Sequence, residues 1–452
     1  MRRLLGLKDL VHHVIEQTTN LVEEQQEAVA RKPIQILSLS PGLGEAARAV
    51  DGVRKLTASA VYETIRATNT GIRKLEDAGV ALARQAAVRA GIPEETLDHP
   101  EEGLATPLRS TALGTASWWA DTAQGALNAA FGDFLRDKEN GLEIRMGFRH
   151  GGRAVTPGEL ALLLQDPTSK VVILVHGLGC TEWAWSFRAA DLHGDPETTF
   201  GTLLRKDLGF TPLYVRYNTG LHVSENGRAL AELVAALVRD YPRRVEQIAL
   251  VGHSMGGLVV RSAAHYGRER GEAWVDLLTH AFCIGSPHLG APLEKASHAL
   301  ASVLGFFDTP GTQVPAKLIN ARSLGIKDLR YGYVVDEDWK DRDPDAFFED
   351  NRHDVPFVDS ALYCFIASTV TADPNHPMGQ LLGDVLVRMP SAFGMTPEPA
   401  RRIPFHIGHV AGGLHHLEIL NHPDVYAVVK KWLAEEQVHM HRERRKALPG
   451  SG

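Results

Sequence analysis

The stretch of residues 247–267, QIALVGHSMGGLVVRSAAHYG, constrains the fold of this chain more than any other. It begins with the apolar run Ile248 to Val251, which is typical of a buried strand. Gly-x-Ser-x-Gly follows at residues 252–256, and a helical pattern follows that. Alone, this pentapeptide would be weak evidence, because glycine and serine are common in turns. Between a strand and a helix it predicts a nucleophile elbow, a strained turn that presents the Ser254 hydroxyl.

Buried strand patterns and helical patterns alternate on both sides of this turn. Helices are expected at Arg228 to Tyr241 and at Pro423 to about Glu435. Alternation of this kind predicts an α/β fold with a mostly parallel central sheet that helices cover on both faces. Chemistry in such sheets lies at the carboxyl ends of the strands. The expected strands are Leu142–Met146 (followed by a Gly151-Gly152 turn), Lys170–Val175, Thr211–Tyr217, 247–251, Ala281–Gly285, Tyr363–Ala367 and Ile403–Ile407.

The first 135 residues contain helical patterns and no strand pattern. The patterns lie near residues 8–30, 50–75, 80–89 and 112–135. We therefore predict a helical extension over residues 1–135, a catalytic domain over 136–436 and a flexible polar tail over 437–452. The extension is either an amphipathic membrane anchor or a helical layer packed on the catalytic domain or another subunit. Its polar faces are mixed rather than lysine-rich, which favours the packed layer.

Residues 292 to about 357 interrupt the alternation of strands and helices. This segment is too long for a simple connection, and such segments are typical of lids or binding loops. Its apolar part, ALASVLGFF at 299–307, is a candidate acyl-binding cap. Its charged part, DEDWKDRDPD at 336–345, is expected to be a solvated surface. We predict a cap or lid insertion over about 292–357.

Composition argues against nucleic-acid binding, a disulfide framework and secretion. The 452 residues carry 48 basic and 55 acidic side chains, a net charge of −7, which argues against nucleic acid as a partner. Three widely spaced cysteines, Cys180, Cys283 and Cys364, suit a reducing compartment and exclude a disulfide framework. The apolar segment near Met1 is too short for a secretory signal. We expect a cytoplasmic protein, with peripheral membrane contact through the N-terminal helices open and the oligomeric state unpredicted.

A serine nucleophile needs an imidazole base, a carboxylate that orients the base, and donors for the oxyanion. In strand–turn–helix enzymes the acid and then the histidine follow the serine along the chain. Two acids follow the strand near residue 363: Asp373 has the surroundings of a turn residue, and Asp384 precedes an apolar run. We therefore choose Asp384 as the acid. His416 is the expected base, and its neighbour His415 is expected on the surface or beside the site.

The remaining predicted site residues are expected to stabilise the turn at Ser254 or to bind the oxyanion of the reaction intermediate. The backbone N–H groups of Leu178 and Met255 are the expected oxyanion donors. His176 is expected to stabilise its loop through hydrogen bonds. Support of the elbow and the oxyanion loop is assigned to His176, Gly177, Gly252, His253 and Gly256.

We assign no catalytic role to the other histidines, and we find no cofactor motif. His406, His409 and His422 are interpreted as core or capping residues. No HExxH pattern, phosphate loop or dinucleotide fingerprint occurs, so neither a metal nor a cofactor is expected.

Five motifs in order resemble the α/β-hydrolase superfamily, in its lipase and esterase branch. They are LVHGLG at 174–179, GHSMGG at 252–257, GSPHLGAP at 285–292, GDVLV at 383–387 and HHLEILNHPDVY at 415–426. The resemblance covers about residues 140 to 435. It implies the α/β-hydrolase fold and a serine carboxylic-ester hydrolase that acts on a small-molecule or lipid ester. The alternatives are an acyltransferase with the same triad and a non-catalytic interaction protein built on the fold.

Overall fold

The computed structural model describes residues 112–164, 166–291, 323–340 and 352–435, and five single residues before them (9, 12, 16, 70 and 85). The helical patterns before residue 112, the apolar stretch 299–307, residues 341–345 and the tail lie outside the described residues. Within the described part of the chain, no helix has both the length and the apolar character needed to cross a membrane.

A sheet of eight strands runs through the domain, in the order β2-β1-β4-β3-β5-β6-β7-β8. Strand β1 is antiparallel to β2 and β4, and every other neighbouring pair is parallel. The predicted mostly parallel α/β sheet is therefore confirmed. The strands are β1 (Gly147–His150), β2 (Arg153–Val155), β3 (Lys170–Val175), β4 (Thr211–Arg216), β5 (Gln247–His253), β6 (Leu278–Ile284), β7 (Leu362–Thr369) and β8 (Ile407–Gly412).

Eleven α-helices occur among the described residues, and three-residue to five-residue 3₁₀ turns lie between some of them. Helix α2 illustrates how the local sequence starts a helix, because Thr156 and Glu159 cap each other's backbone in a capping box. The helices are α1 (Ala112–Asp137), α2 (Pro157–Leu163), α3 (Ala189–His193), α4 (Phe200–Leu208), α5 (Val223–Asp240), α6 (Met255–Glu269), α7 (Trp274–Leu277), α8 (Leu324–Tyr331), α9 (Pro377–Leu382), α10 (Met389–Ala392) and α11 (Pro423–Ala434).

The two faces of the central strands bury different apolar clusters. Alternate residues of a strand point to opposite faces, so Ile173 and Leu250 pair on one face and Leu174 and Val251 on the other. The first face packs under apolar residues of α1, α5 and α6, and the second under α4 and α11. Burial on both faces explains why β3 and β5 are continuous apolar runs in the sequence.

Three predicted boundaries were wrong, two because a tertiary contact decides the boundary and one because of a proline. Residues 142–146 are not a strand: the Ile144 N–H bonds to Asn128 Oδ1, and β1 begins only at Gly147, before the confirmed glycine turn. Strand β8 begins at Ile407 rather than at residue 403, because Pro404 has no N–H for a ladder. Helix α5 begins five residues early, where Asp328 accepts a hydrogen bond from Val223 N–H.

Helix α1 belongs to the same compact unit as the sheet. Residues 112–138 cluster with that unit, and Ala126, Ala129 and Ala130 lie in its core. The helix predicted over 112–135 is therefore part of the sheet domain's packing. The division of the chain at residue 135 stays a prediction for the residues before 112, as does the insertion over 292–357.

The described part of the charged run, residues 336–340, is only in part the expected solvated surface, because Glu337 and Lys340 are exposed but Asp338 is buried. Asp338 is fully buried, and its Oδ2 accepts from the N–H groups of Val334 (2.7 Å) and Val335 (3.0 Å). Asp336 forms an ion pair of 2.6 Å with Arg228 of α5. These carboxylates anchor the segment to the domain, which a count of charges along the sequence does not indicate.

Candidate active site

Ser254 occupies the turn between β5 and α6. The strand ends at His253, the helix begins at Met255, and Ser254 between them has φ 54° and ψ −123°. A positive φ is uncommon for a residue with a side chain, and such strain is concentrated at functional sites. The Ser254 N–H donates to the carbonyl oxygen of Ile284, at 2.8 Å. The predicted strand–turn–helix context of the serine is confirmed.

Three glycines leave the space that this turn requires. A Cβ at residue 252 would lie 2.4 Å from the Gly256 carbonyl oxygen, and a Cβ at residue 256 would lie 2.2 Å from the Val175 oxygen. A Cβ on Gly177 would lie 2.9 Å from the Cβ of Ser254. The loop after β3 therefore packs directly against the serine.

His416 and Asp384 form a buried pair. The distance from His416 Nδ1 to Asp384 Oδ2 is 2.7 Å, and the two residues are 5% and 2% exposed. The second carboxylate oxygen, Oδ1, accepts from the N–H groups of Leu386 (3.0 Å) and Val387 (2.8 Å). The carboxylate is thus fixed by backbone donors, and a neutral imidazole that donates from Nδ1 keeps its lone pair at Nε2.

The imidazole of His416 and the backbone of Ser254 lie against two adjacent residues, Gly285 and Ile284. Ile284 accepts the Ser254 N–H, and a Cβ on its neighbour Gly285 would lie 3.3 Å from His416 Cε1. Among the hydrogen bonds of the described residues, none joins the Ser254 hydroxyl to His416. In enzymes without bound substrate such contacts are often long, and they tighten in the complex.

His253, which precedes the serine, holds the histidine loop in place. Its Nε2 lies 3.0 Å from the His416 carbonyl oxygen, and the two rings lie 4.8 Å apart. Burial, and then the charge of His416, lowers the pKa of His253 well below its usual value. A neutral His253 with its proton on Nε2 is therefore a fixed donor to this loop, which agrees with the supporting role expected for it.

The two expected oxyanion donors point to no protein acceptor. Within the described residues, neither the Leu178 nor the Met255 N–H donates a hydrogen bond, although both residues are buried. The adjacent amides are occupied: Gly179 N–H donates to Thr219 Oγ1 (3.2 Å), and Cys180 N–H to the Gly177 oxygen (3.2 Å). Met255 is the first residue of α6, where the helix dipole favours negative charge.

His176 stabilises the loop after β3. Its Nδ1 lies 3.0 Å from the Gly177 oxygen, and the Tyr217 hydroxyl donates to the His176 carbonyl at 2.7 Å. The rings of His176 and Tyr217 stack at 4.5 Å. Burial lowers the pKa of His176 to about 3, so this side chain stays neutral. These contacts fit the structural role expected of it.

A buried ionic cluster beside this loop has no counterpart in the sequence predictions. Arg216, at the end of β4, donates to Glu182 (2.6 Å) and to Asp121 of α1 (2.7 Å), and all three are buried. Trp183 Nε1 also donates to Asp121, at 3.0 Å. Sequence reasoning could not find the cluster, since Asp121 and Arg216 lie 95 residues apart and neither belongs to a motif.

The rejected candidates have exposed or capping positions. Asp373 is exposed and accepts from the Asn375 N–H at 2.9 Å, as expected of a turn residue. His415 is exposed, and His422 caps α11 through the Asp424 N–H. Within the described residues, no group of histidine, cysteine and acidic side chains has a metal-binding arrangement.

The part of the chain that contains the serine turn is similar to a known family. A family described as "Putative serine esterase (DUF676)" matches residues 165–331, which include β3 to α8 and the elbow. The chain has the α/β-hydrolase fold, and the family that matches part of it is one of serine esterases. It is a serine ester hydrolase. No curated protein matches this hydrolase significantly.

Several solved structures are similar to this hydrolase at low sequence identity. Mature lipase BlEst2 from Bacillus licheniformis is 17% identical, with a TM-score of 0.39 over 60% of this chain and 94% of its own. The RedJ thioesterase from Streptomyces coelicolor is 21% identical, with a TM-score of 0.31 over 59% and 91%. Esterase B from Lactobacillus rhamnosis is 13% identical, with a TM-score of 0.32 over 63% and 80%.

Proposed function

We propose that the enzyme hydrolyses small-molecule or lipid carboxylic esters through an acyl-enzyme on Ser254. His416 is the general base and then the general acid, and Asp384 orients it. The 2.7 Å contact between the buried His416 and Asp384, beside the strained serine turn, carries this proposal. The same pairing of imidazole and carboxylate activates serine nucleophiles on unrelated folds.

The proposed reaction has two half-reactions. In the first, Ser254 Oγ attacks the ester carbonyl carbon while its proton passes to His416 Nε2. The Leu178 and Met255 N–H groups stabilise the resulting oxyanion. Collapse of this intermediate breaks the bond to the alcohol, which leaves with the proton from Nε2. In the second half-reaction, water loses a proton to Nε2 and attacks the acyl carbon. The bond between the acyl carbon and Ser254 Oγ then breaks, Oγ takes the proton back from Nε2, and the carboxylic acid is released.

Labelling by a fluorophosphonate probe tests the nucleophile. The wild-type enzyme should be labelled and should hydrolyse p-nitrophenyl esters, and Ser254→Ala should lose both properties. Ser169→Ala is the matched control, because the Ser169 hydroxyl donates to Glu246 in an exposed hydrogen bond. Labelling of Ser254→Ala at the wild-type rate would refute the assignment. A p-nitrophenyl chain-length series, measured above and below micelle formation, then separates short soluble esters from lipid esters.

The acyl acceptor is tested separately from the nucleophile. An acyltransferase would form the same acyl-enzyme but would pass the acyl group to an alcohol or amine. With added alcohol, the proposed hydrolase should still release mainly the free acid. Predominant transfer to the alcohol would be compatible with the proposed triad, but it would mean that the enzyme is an acyltransferase rather than a hydrolase.

A further inference from the structure

A cavity separate from the proposed triad is lined by basic side chains. It has a volume of about 100 Å³ and lies between α6, the segment after β6, and the stretches 352–355 and 400–404. Its lining includes four arginines, Arg261, Arg352, Arg401 and Arg402, and one carboxylate, Asp354. Ser254, His416 and Asp384 do not line it. The side chains around this cavity therefore favour an anion.

Arg261 is a buried cation with no carboxylate partner among the described residues. It lies on α6, is 5% exposed, and stacks over the Phe357 ring at 5.6 Å. Its Nη1 lies 3.1 Å from His288 Nδ1, and its Nε has no hydrogen-bond partner. A buried charge without a counter-charge is strongly unfavourable. A bound anion would supply both the counter-charge and the acceptor.

His288 provides a second donor in the same cavity. Because an arginine N–H can only donate, His288 Nδ1 accepts from Arg261, and the proton of the neutral ring lies on Nε2. This Nε2 is fully buried and has no partner among the described residues. Stacking on Phe365 at 4.1 Å fixes the ring. Burial, and then Arg261 and Arg352, lowers the pKa of His288, so the ring stays neutral.

No carboxylate of the described residues forms a hydrogen bond or ion pair with Arg261. Asp338, a buried acid whose charge acts on Arg261, accepts from the backbone of Val334 and Val335 and from His353. Asp354 is exposed at the edge of the cavity. Arg352 donates to the His288 carbonyl at 3.1 Å, so it adds a further positive charge beside that ring.

We propose that this cavity binds a compact oxyanion of the phosphate type, either free or as the terminal group of a phosphate monoester. Arginine side chains match the oxygens of such anions in geometry and charge. The volume of about 100 Å³ is several times the space of roughly 10–15 Å³ that a single water needs. The Arg261 Nε–H and His288 Nε2–H groups donate to the anion oxygens, and Arg402 adds charge at the rim.

Binding of inorganic phosphate to the full-length enzyme in chloride buffer tests this site. Titration calorimetry should show saturable binding, and phosphate should raise the melting temperature. Arg402→Gln, an exposed rim variant, should weaken binding at least tenfold and leave fluorophosphonate labelling of Ser254 unchanged. Arg239→Gln is the control, because Arg239 is exposed and bonded to Asp240. No saturable binding, of either phosphate or a phosphate monoester, would overturn the proposal, as would equal binding by Arg402→Gln.

Arg261→Met distinguishes a ligand-binding arginine from a structural one. In chloride buffer it should keep or raise the melting temperature, because it replaces an unpaired buried charge by an apolar side chain. It should also abolish the shift that phosphate produces. If Arg261→Met folds and still binds phosphate like the wild type, the site is wrongly assigned. If Arg261→Met does not fold, the titration of Arg402→Gln with phosphate tests the proposal instead.

Two further ligands identify the source of the anion. Phosphatidylcholine vesicles with and without phosphatidic acid present a phosphate monoester on a lipid surface. Binding that needs phosphatidic acid, with no binding of free phosphate, assigns the site to a lipid headgroup. Binding of free phosphate that vesicles do not compete assigns it to a soluble ion. Both results support the proposal, and they differ only in whether the bound phosphate belongs to a lipid headgroup or to a soluble ion.

Discussion

Two buried pairs of histidine and aspartate occur in the described part of this domain, and we expect them to have different roles. His416 Nδ1 lies 2.7 Å from Asp384, and His222 Nδ1 lies 2.9 Å from Asp328. All four side chains are less than a tenth exposed. The contact between imidazole and carboxylate is nearly the same in both pairs, so this contact alone cannot identify a catalytic pair.

The surroundings of the two imidazoles differ. The His222 ring stacks on Trp339 at 3.6 Å, and its partner Asp328 also accepts the Val223 N–H at the start of α5. Burial raises the pKa of Asp328, against the lowering effect of its bonds to His222 and Val223. His416 instead packs on Gly285, next to the residue that accepts the serine N–H. The first pair holds the start of α5, and the second lies against Gly285, the residue next to the acceptor of the Ser254 N–H.

Replacement of each histidine should give the largest contrast. His416→Ala should lower kcat about 10⁴-fold or more, because a serine without its base is a poor nucleophile. His222→Ala should keep kcat within a few-fold and lower the free energy of unfolding by about 2–4 kcal/mol, since it leaves the Asp328 carboxylate buried with fewer partners. Ester hydrolysis and urea unfolding measure both effects. Equal losses of kcat in the two variants would remove the distinction.

Replacement of the acids should give a similar contrast. Asp384→Asn should lower kcat up to about 10⁴-fold, because the amide no longer holds the imidazole in the tautomer with its lone pair on Nε2. Asp328→Asn should chiefly lower stability, by about 1–3 kcal/mol. The same two assays apply. If Asp384→Asn kept its kcat, Asp384 would not be the orienting acid.

A smaller effect on kcat is expected at the oxyanion loop. Gly177→Ala would place a methyl group 2.9 Å from the Ser254 Cβ, so either the loop or the serine must shift. A displacement of about 1 Å can lower the rate about 100-fold, and we expect a fall in kcat of roughly 10-fold to 100-fold. Gly158→Ala is the matched control, because no atom lies within 4 Å of the added Cβ. Unchanged kcat in Gly177→Ala would mean that the loop does not position the oxyanion donors.

The parts of the fold that local patterns determine could be predicted from the sequence. Strands β3 and β5, the glycines at 252 and 256 and helix α11 follow from apolar periodicity and from the space that a tight turn needs. Asp384 and His416 were chosen by their order after Ser254 and by their neighbours. The structure joins them by a hydrogen bond, although their catalytic roles stay proposals.

The parts that long-range contacts determine could not be predicted. The pair of His222 and Asp328 joins residues 106 positions apart, and it moves the start of α5 to Val223. Arg261 occupies one position of an otherwise ordinary helix pattern, and nothing in the sequence indicates that it is buried without a carboxylate partner among the residues that the structure describes. The charged run was expected to be solvated because charge patterns do not show which carboxylates backbone N–H groups will satisfy.

The smallest expected effect concerns how stability near His222 depends on pH. Asp336 lies in the turn that carries Trp339. Its burial disfavours the charged form, but hydrogen bonds from Arg228, Lys340 and Ser224 outweigh burial and lower the pKa to about 2. Because this folded pKa lies below the unfolded value of about 3.9, the stabilisation is complete above pH 4 and is lost as the pH falls towards 2.

Asp336→Asn should therefore be less stable than the wild type at pH 7, by about 1 kcal/mol after allowance for solvent screening. The difference should shrink as the pH falls from 4 towards 2, because the wild-type carboxylate becomes protonated. Urea unfolding at pH 7, 4 and 3 measures it, and Asp240→Asn, in an exposed pair with Arg239, is the control. A difference that stays constant over this range would show that Asp336 stabilises the turn by its shape rather than by its charge.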